Sequence, residues 1–225
     1  MGKETSRRLQ TSLLNNAEKR LLIWLAQRQP KWMTSDILTY IGVSGSALYM
    51  LGGWLANRDI RFLWLASFGL VIHWYGDSLD GTLARVRDTQ RPVYGFFIDH
   101  TLDAVTTCMI FLGAGLSPLF RMDVSLFILA GYLCLSIYTY ICTILKGEFR
   151  LTYGYMGPTE FRLLLILTNT LYIYMPCMRR HYNLCEYESG VFDMIGLFVG
   201  IALFLIYVCQ LVKDGRAFSR QDPLP

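Results

Sequence analysis

The sequence predicts an all-α integral membrane protein: six transmembrane helices preceded by an N-terminal amphipathic interfacial helix. Three observations carry this reading. Of the 225 residues 53% are hydrophobic, and mean hydropathy is +0.35. The apolar residues come in runs near the ~20 residues that cross a bilayer, longer than a soluble core uses. The basic residues segregate between alternate loops, as the positive-inside rule requires.

Taken in order, residues 9–25 carry Leu9, Leu13, Ala17, Leu21 and Trp24/Leu25 at helical spacing, with Arg7, Arg8, Lys19 and Arg20 nearby. Such a stretch lies either on the membrane surface or against the protein as a surface helix. Pro30 ends it, giving an interfacial segment over 1–30. Apolar runs follow at 37–56, 60–76, 96–117, 124–145, 161–177 and 191–212. Asp36 before the first run reads as an N-cap. Six spans put both termini on one side of the membrane. With that side cytoplasmic, sixteen Lys and Arg face the cytosol and five face the other way.

The first 20 residues are polar and basic, so no removable signal sequence is expected. Loops are short apart from about 178–190, which makes residues 1–225 a single membrane domain with no separate soluble unit. The six cysteines include no C-x-x-C pair, and four lie within apolar runs, where Cys behaves as a small hydrophobe. Cys177 and Cys185 share one outer loop, which leaves a disulfide between them open. Nothing resembles the aromatic-interleaved basic patch of a nucleic-acid binder.

One stretch, residues 77–103, concentrates the chemistry at the cytoplasmic end of spans two and three. It reads Asp77-Ser78-Leu79-Asp80-Gly81-Thr82-Leu83-Ala84-Arg85, then Gly95 and Asp99-His100-Thr101-Leu102-Asp103. On helices, Asp77 and Asp80 share one face and Asp99 and Asp103 another, so two facing helices converge four carboxylates. Carboxylates at membrane depth are costly and call for a cation. All-oxygen ligands favour Mg²⁺, Mn²⁺ or Ca²⁺ over zinc, and four acids suffice for two ions. Gly81, Ala84 and Gly95 leave a side-chain-free surface wide enough for a nucleotide. A cation transporter would also place acids here, but transporters repeat their broken helices in paired halves, and no second half echoes this cluster.

The pattern D-x2-D-G-x2-A-R-x9-G-x3-D-x3-D resembles the signature of the CDP-alcohol phosphotransferase family, with every fixed position present. The resemblance implies an enzyme of phospholipid biosynthesis that moves a substituted phosphate group from a CDP-linked donor to a hydroxyl acceptor and releases CMP. It implies two divalent cations, Mg²⁺ or alternatively Mn²⁺, on Asp77, Asp80, Asp99 and Asp103, and a nucleotide against Asp77, Gly81, Ala84, Arg85 and Gly95. It further implies a homodimer, expected in a bacterial inner membrane with the active site cytoplasmic. Arg85 either neutralises phosphate or anchors the helix end. By resemblance Asp103 is the general base. His100, with an ordinary pKa near 6.5, is the alternative base, oriented by Glu160.

Two weaker features bear on the substrates. Gly157-Pro158-Thr159-Glu160 and Asp99-His100 resemble the choline/ethanolaminephosphotransferase branch, although the first is also ordinary helix-start chemistry. Ala104 stands where the phosphatidyltransferase branch often has Lys. The favoured reading is therefore a CDP-choline-like or CDP-ethanolamine-like donor with a diacylglycerol-like acceptor. The alternative is a phosphatidyltransferase using CDP-diacylglycerol and a polar acceptor such as glycerol phosphate, inositol, inositol phosphate or serine. Lys146, Arg150 and Arg162 would then hold the acceptor's phosphate, though topology alone accounts for these cations. Thr34-Ser35-Asp36 stands where the family usually has Thr-Pro-Asn, so no nucleotide role passes to Asp36.

Overall fold

The computed structural model describes residues 7–9, 15–146, 148–150, 157–184 and 187–222. Seven α-helices make up almost all of it: α1 (Asn15–Gln27), α2 (Ser35–Leu55), α3 (Leu63–Val86), α4 (Pro92–Leu116), α5 (Met122–Lys146), α6 (Pro158–Tyr174) and α7 (Val191–Gln221). Two small strand pairs complete it. β1 (Arg7–Leu9) runs parallel to β2 (Glu148–Arg150), and β3 (His181–Leu184) pairs antiparallel with β4 (Tyr187–Gly190).

Helices α2 to α7 fall on the six apolar runs. Three of the described helices, α4, α5 and α7, are long and apolar enough to cross a membrane by length and composition. The protein is an all-α integral membrane protein. The first helix differs from expectation: it begins at Asn15, and Leu9 lies in β1, where its backbone pairs with Arg150. Leu13 lies outside the described residues.

Helix α1 packs one face against the protein. Leu22 and Ala26 are buried with Met33, Leu38, Leu79 and Leu83, while Leu21, Ile23 and Trp24 stay exposed. Polar contacts fix it further. The Glu18 carboxylate accepts hydrogen bonds from Trp74 Nε1 on α3 at 2.8 Å and Thr159 Oγ1 on α6 at 2.6 Å. Arg87 donates to the carbonyls of Gln29 and Pro30, both at 2.8 Å, and to that of Met33. These bonds tie the link between α1 and α2 to the end of α3.

The N-cap of α2 is Thr34, whose hydroxyl accepts from Ile37 N at 3.3 Å, rather than Asp36. Asp36 sits in the first turn, where a negative charge suits the helix dipole, and pairs with Arg91 at 2.5 Å. That bond raises the Arg91 pKa above its usual value.

Helices α2 and α3 pack backbone to backbone. A Cβ at Gly45 would strike the backbone of His73, and one at Gly76 would strike that of Gly42. Such contact lets dispersion and weak hydrogen bonds operate at short range. It also brings Thr39 and Gly42 of α2 against the last turns of α3. Helix α3 does not stop at the end of its apolar run but continues ten residues past Gly76. It ends where Thr89 N bonds Ala84 O at 2.9 Å and Asp88 N bonds Arg85 O at 3.3 Å. Asp88 takes the left-handed conformation, φ 55°, that this termination needs and that Asp tolerates. Pro92 then starts α4.

Among the expectations for the outer loop, Cys177 is an exposed free thiol, and Cys185 lies outside the described residues.

Candidate active site

After the short link 87–91 the chain returns as α4, and α3 and α4 both pack against α2, so that acids from the last turns of α3 and the first turns of α4 point at one another. Carboxylate oxygens of Asp77, Asp99 and Asp103 come within 4.8 Å of one another. All three residues are half-buried, between exposed and core positions. They border a cavity of about 10 Å³ together with Thr39, Gly42 and His73. That is about the room one water-sized particle occupies. Three convergent carboxylates with no soft ligand among them suit a hard divalent cation.

Asp80 behaves differently from the other three. It is 8% exposed, and its carboxylate accepts from Thr39 Oγ1 at 2.6 Å and from Gly81 N at 2.5 Å. The expected four-acid convergence is thus a group of three with a fourth acid turned towards α2. Spacing alone could not foresee this, because the hydroxyl that draws Asp80 aside comes from 41 residues earlier in the chain.

The small residues of the motif face open space. Among the described residues, a Cβ at Gly81 would meet only Arg85 Nη1, at 3.5 Å, and one at Gly95 would have nothing within 4 Å. These glycines therefore contrast with Gly45 and Gly76, which are required for helix contact. Ala84 is half-buried, and Arg85 is exposed with Nη2 donating to Thr82 Oγ1 at 3.0 Å. Gly81 and Gly95 thus leave open space one residue from Asp80 and four from Asp99 along the chain, the first of them beside the Arg85 guanidinium.

His100 lies on α4 between two of the acids. Its Nδ1 is 2.9 Å from Phe96 O and 3.7 Å from Asp99 Oδ2. The ring stacks on Phe96 at 4.1 Å and meets the edge of Tyr140 at 5.1 Å. Glu160 lies in the first turn of α6, where its carboxylate accepts from Gly157 N at 3.0 Å. Lys146 is the last residue of α5 and Arg150 the last of β2, and their side chains lie outside the described residues.

Arg162 is buried, 7% exposed, and its guanidinium pairs with the Asp77 carboxylate. It is joined there by His73, a residue the sequence reading did not single out. His73 Nε2 lies 3.2 Å from Arg162 Nη2, and Nδ1 lies 3.0 Å from Gly42 O. The available signal was its position four residues before Asp77, which puts both on one face of α3.

The CDP-alcohol phosphatidyltransferase family model matches residues 32–210, well over half of the chain. A phosphatidylinositol phosphate synthase of Cutibacterium acnes (strain DSM 16379 / KPA171202) is 33% identical over 88 residues, covering 37% of this chain and 38% of that protein. The matched part thus spans well under half of the relative's length. Together with the complete aspartate motif on α3 and α4, the match over 32–210 means that the chain belongs to the CDP-alcohol phosphatidyltransferase family.

Proposed function

We propose that this protein is a phosphatidyltransferase that uses CDP-diacylglycerol as donor and a phosphorylated polyol of the inositol phosphate class as acceptor, releasing CMP. The observation that carries the choice is the likeness to a phosphatidylinositol phosphate synthase. It favours the alternative drawn from the sequence over the choline/ethanolamine reading.

In this reading Asp77, Asp99 and Asp103, with Asp80 beside them, hold divalent cations, Mg²⁺ or Mn²⁺. When bound, these supply charge neutralisation of the donor's pyrophosphate and of the oxygens of the in-line displacement. The open strip at Gly81 and Gly95 admits the nucleotide close to the acids, and Ala84 keeps the neighbouring turn small. Arg85 faces the donor's phosphates, for which its forked donors are suited. The acceptor hydroxyl gives its proton to the Asp103 carboxylate as its oxygen bonds to the β-phosphorus, and the bond from that phosphorus to the CMP oxygen breaks. His100, whose Nδ1 faces the Phe96 carbonyl, is a packing neighbour in this account. Lys146 and Arg150 are given to the acceptor's phosphate.

The protein works as a homodimer in a bacterial inner membrane, with both termini and the active site cytoplasmic. The charge asymmetry of the loops supports that orientation. Donor choice tests the proposal. Protein reconstituted in vesicles with Mg²⁺ receives CDP-diacylglycerol, CDP-choline or CDP-ethanolamine, each with its candidate acceptors, and lipid products are identified by mass spectrometry. A phosphatidylinositol-phosphate-type product is expected. Phosphatidylcholine or phosphatidylethanolamine would reject the assignment.

A further inference from the structure

The acid cluster has a cationic neighbour within the protein. Arg162 lies early in α6, 7% exposed, with Nη2 shared between the Asp77 carboxylate and His73 Nε2. A guanidinium only donates, so Nε2 must present its lone pair. The imidazole proton then sits on Nδ1 and is donated to Gly42 O at 3.0 Å, an assignment made from the bonding network. One connected chain results: the carbonyl of α2, the imidazole of α3, the guanidinium of α6 and the carboxylate of α3. It fixes where the guanidinium can be, since every group in it comes from a packed helix.

Asp77 is also one of the three carboxylates grouped within 4.8 Å. A guanidinium on that carboxylate opposes a divalent cation in two ways. It occupies Oδ2, and its charge repels a second cation in surroundings where Coulomb interactions are stronger than in water. We propose that Arg162, held by His73, lowers the affinity of the Asp77–Asp99–Asp103 cluster for divalent cations while supplying the counter-charge that lets these acids sit together. The inference rests on the reading of this cluster as a cation site. Both residues act through Asp77 and are positioning residues.

The test is Mn²⁺ binding to the detergent-solubilised full chain, followed by loss of the free-Mn²⁺ electron paramagnetic resonance signal. It needs no substrate. Arg162→Gln and Arg162→Met should bind Mn²⁺ tighter than wild type, on the order of tenfold or more. His73→Phe should shift affinity in the same direction by less, because the guanidinium then loses one of its two anchors. In chelator the Arg162 variants should melt below wild type, since removing one partner leaves Asp77 uncompensated. Mn²⁺ should recover more of the melting temperature in them than in wild type. The Met variant fills the arginine's volume without a polar end, and His73→Phe keeps the cation, so the test does not depend on one variant folding. Unchanged or weaker Mn²⁺ binding in whichever variants fold overturns this inference alone when wild type binds Mn²⁺. A wild type that binds none overturns both the inference and the cation-site reading.

Discussion

At the scale of single residues, the glycines divide into two kinds that only the structure separates. Gly76 touches the backbone of Gly42, whereas Gly81, five residues on, has no packed neighbour among the described residues beyond the end of Arg85. Gly81→Leu should therefore leave the melting temperature within a few degrees of wild type but weaken CDP-nucleotide binding by on the order of tenfold or more, measured by calorimetry. A normal nucleotide affinity in this variant would remove Gly81 from the donor site. Gly76→Ala should do the opposite, lowering stability by about 1–3 kcal/mol through overpacking, read by denaturant unfolding in detergent. The motif's residue types were legible in the sequence, as were its spacings. What each carboxylate bonds was not. Asp80 is set by Thr39 and Asp77 by Arg162, partners 41 and 85 residues away in sequence.

At the scale of helices, apolar run length located all six of α2 to α7, because length is what the bilayer constrains. Boundaries were less legible where polar residues extend a helix past its apolar part. Helix α3 keeps going through Asp77 and Asp80 to Val86, and α7 has 31 residues, roughly 46 Å at the usual rise, ending beyond Lys213 and Arg216. The apolar character of Leu9 fits a helix face and a strand equally well, and only pairing with β2 decides between them. Helix α1 is clamped by Glu18 to both α3 and α6, the helices that contribute Asp77 and Arg162. Glu18→Ala leaves two donors without their carboxylate and should lower stability by about 1–3 kcal/mol. Thermal unfolding in detergent checks this, and an unchanged melting temperature would show that α1 is held by its apolar face alone.

At the scale of the whole molecule, the two branches of this chemistry differ in what the acceptor carries. A phosphorylated acceptor needs cations, and a diacylglycerol acceptor does not. Lys146→Ala and Arg150→Ala should each raise the acceptor KM about tenfold or more, the loss of one charge-assisted bond. His100→Ala should cost less than tenfold in kcat, whereas a general base would cost about 10²–10⁴. Steady-state kinetics with CDP-diacylglycerol and inositol phosphate reads both.

The most direct measurement of the central claim is CMP release by the purified protein supplied with CDP-diacylglycerol, a phosphorylated polyol and Mg²⁺, repeated in chelator and with Asp99→Asn. CMP formation should require all three additions and be abolished by the chelator and by the substitution. CMP formation that persists undiminished in chelator, or that occurs from CDP-choline with diacylglycerol and not from CDP-diacylglycerol, would contradict that claim.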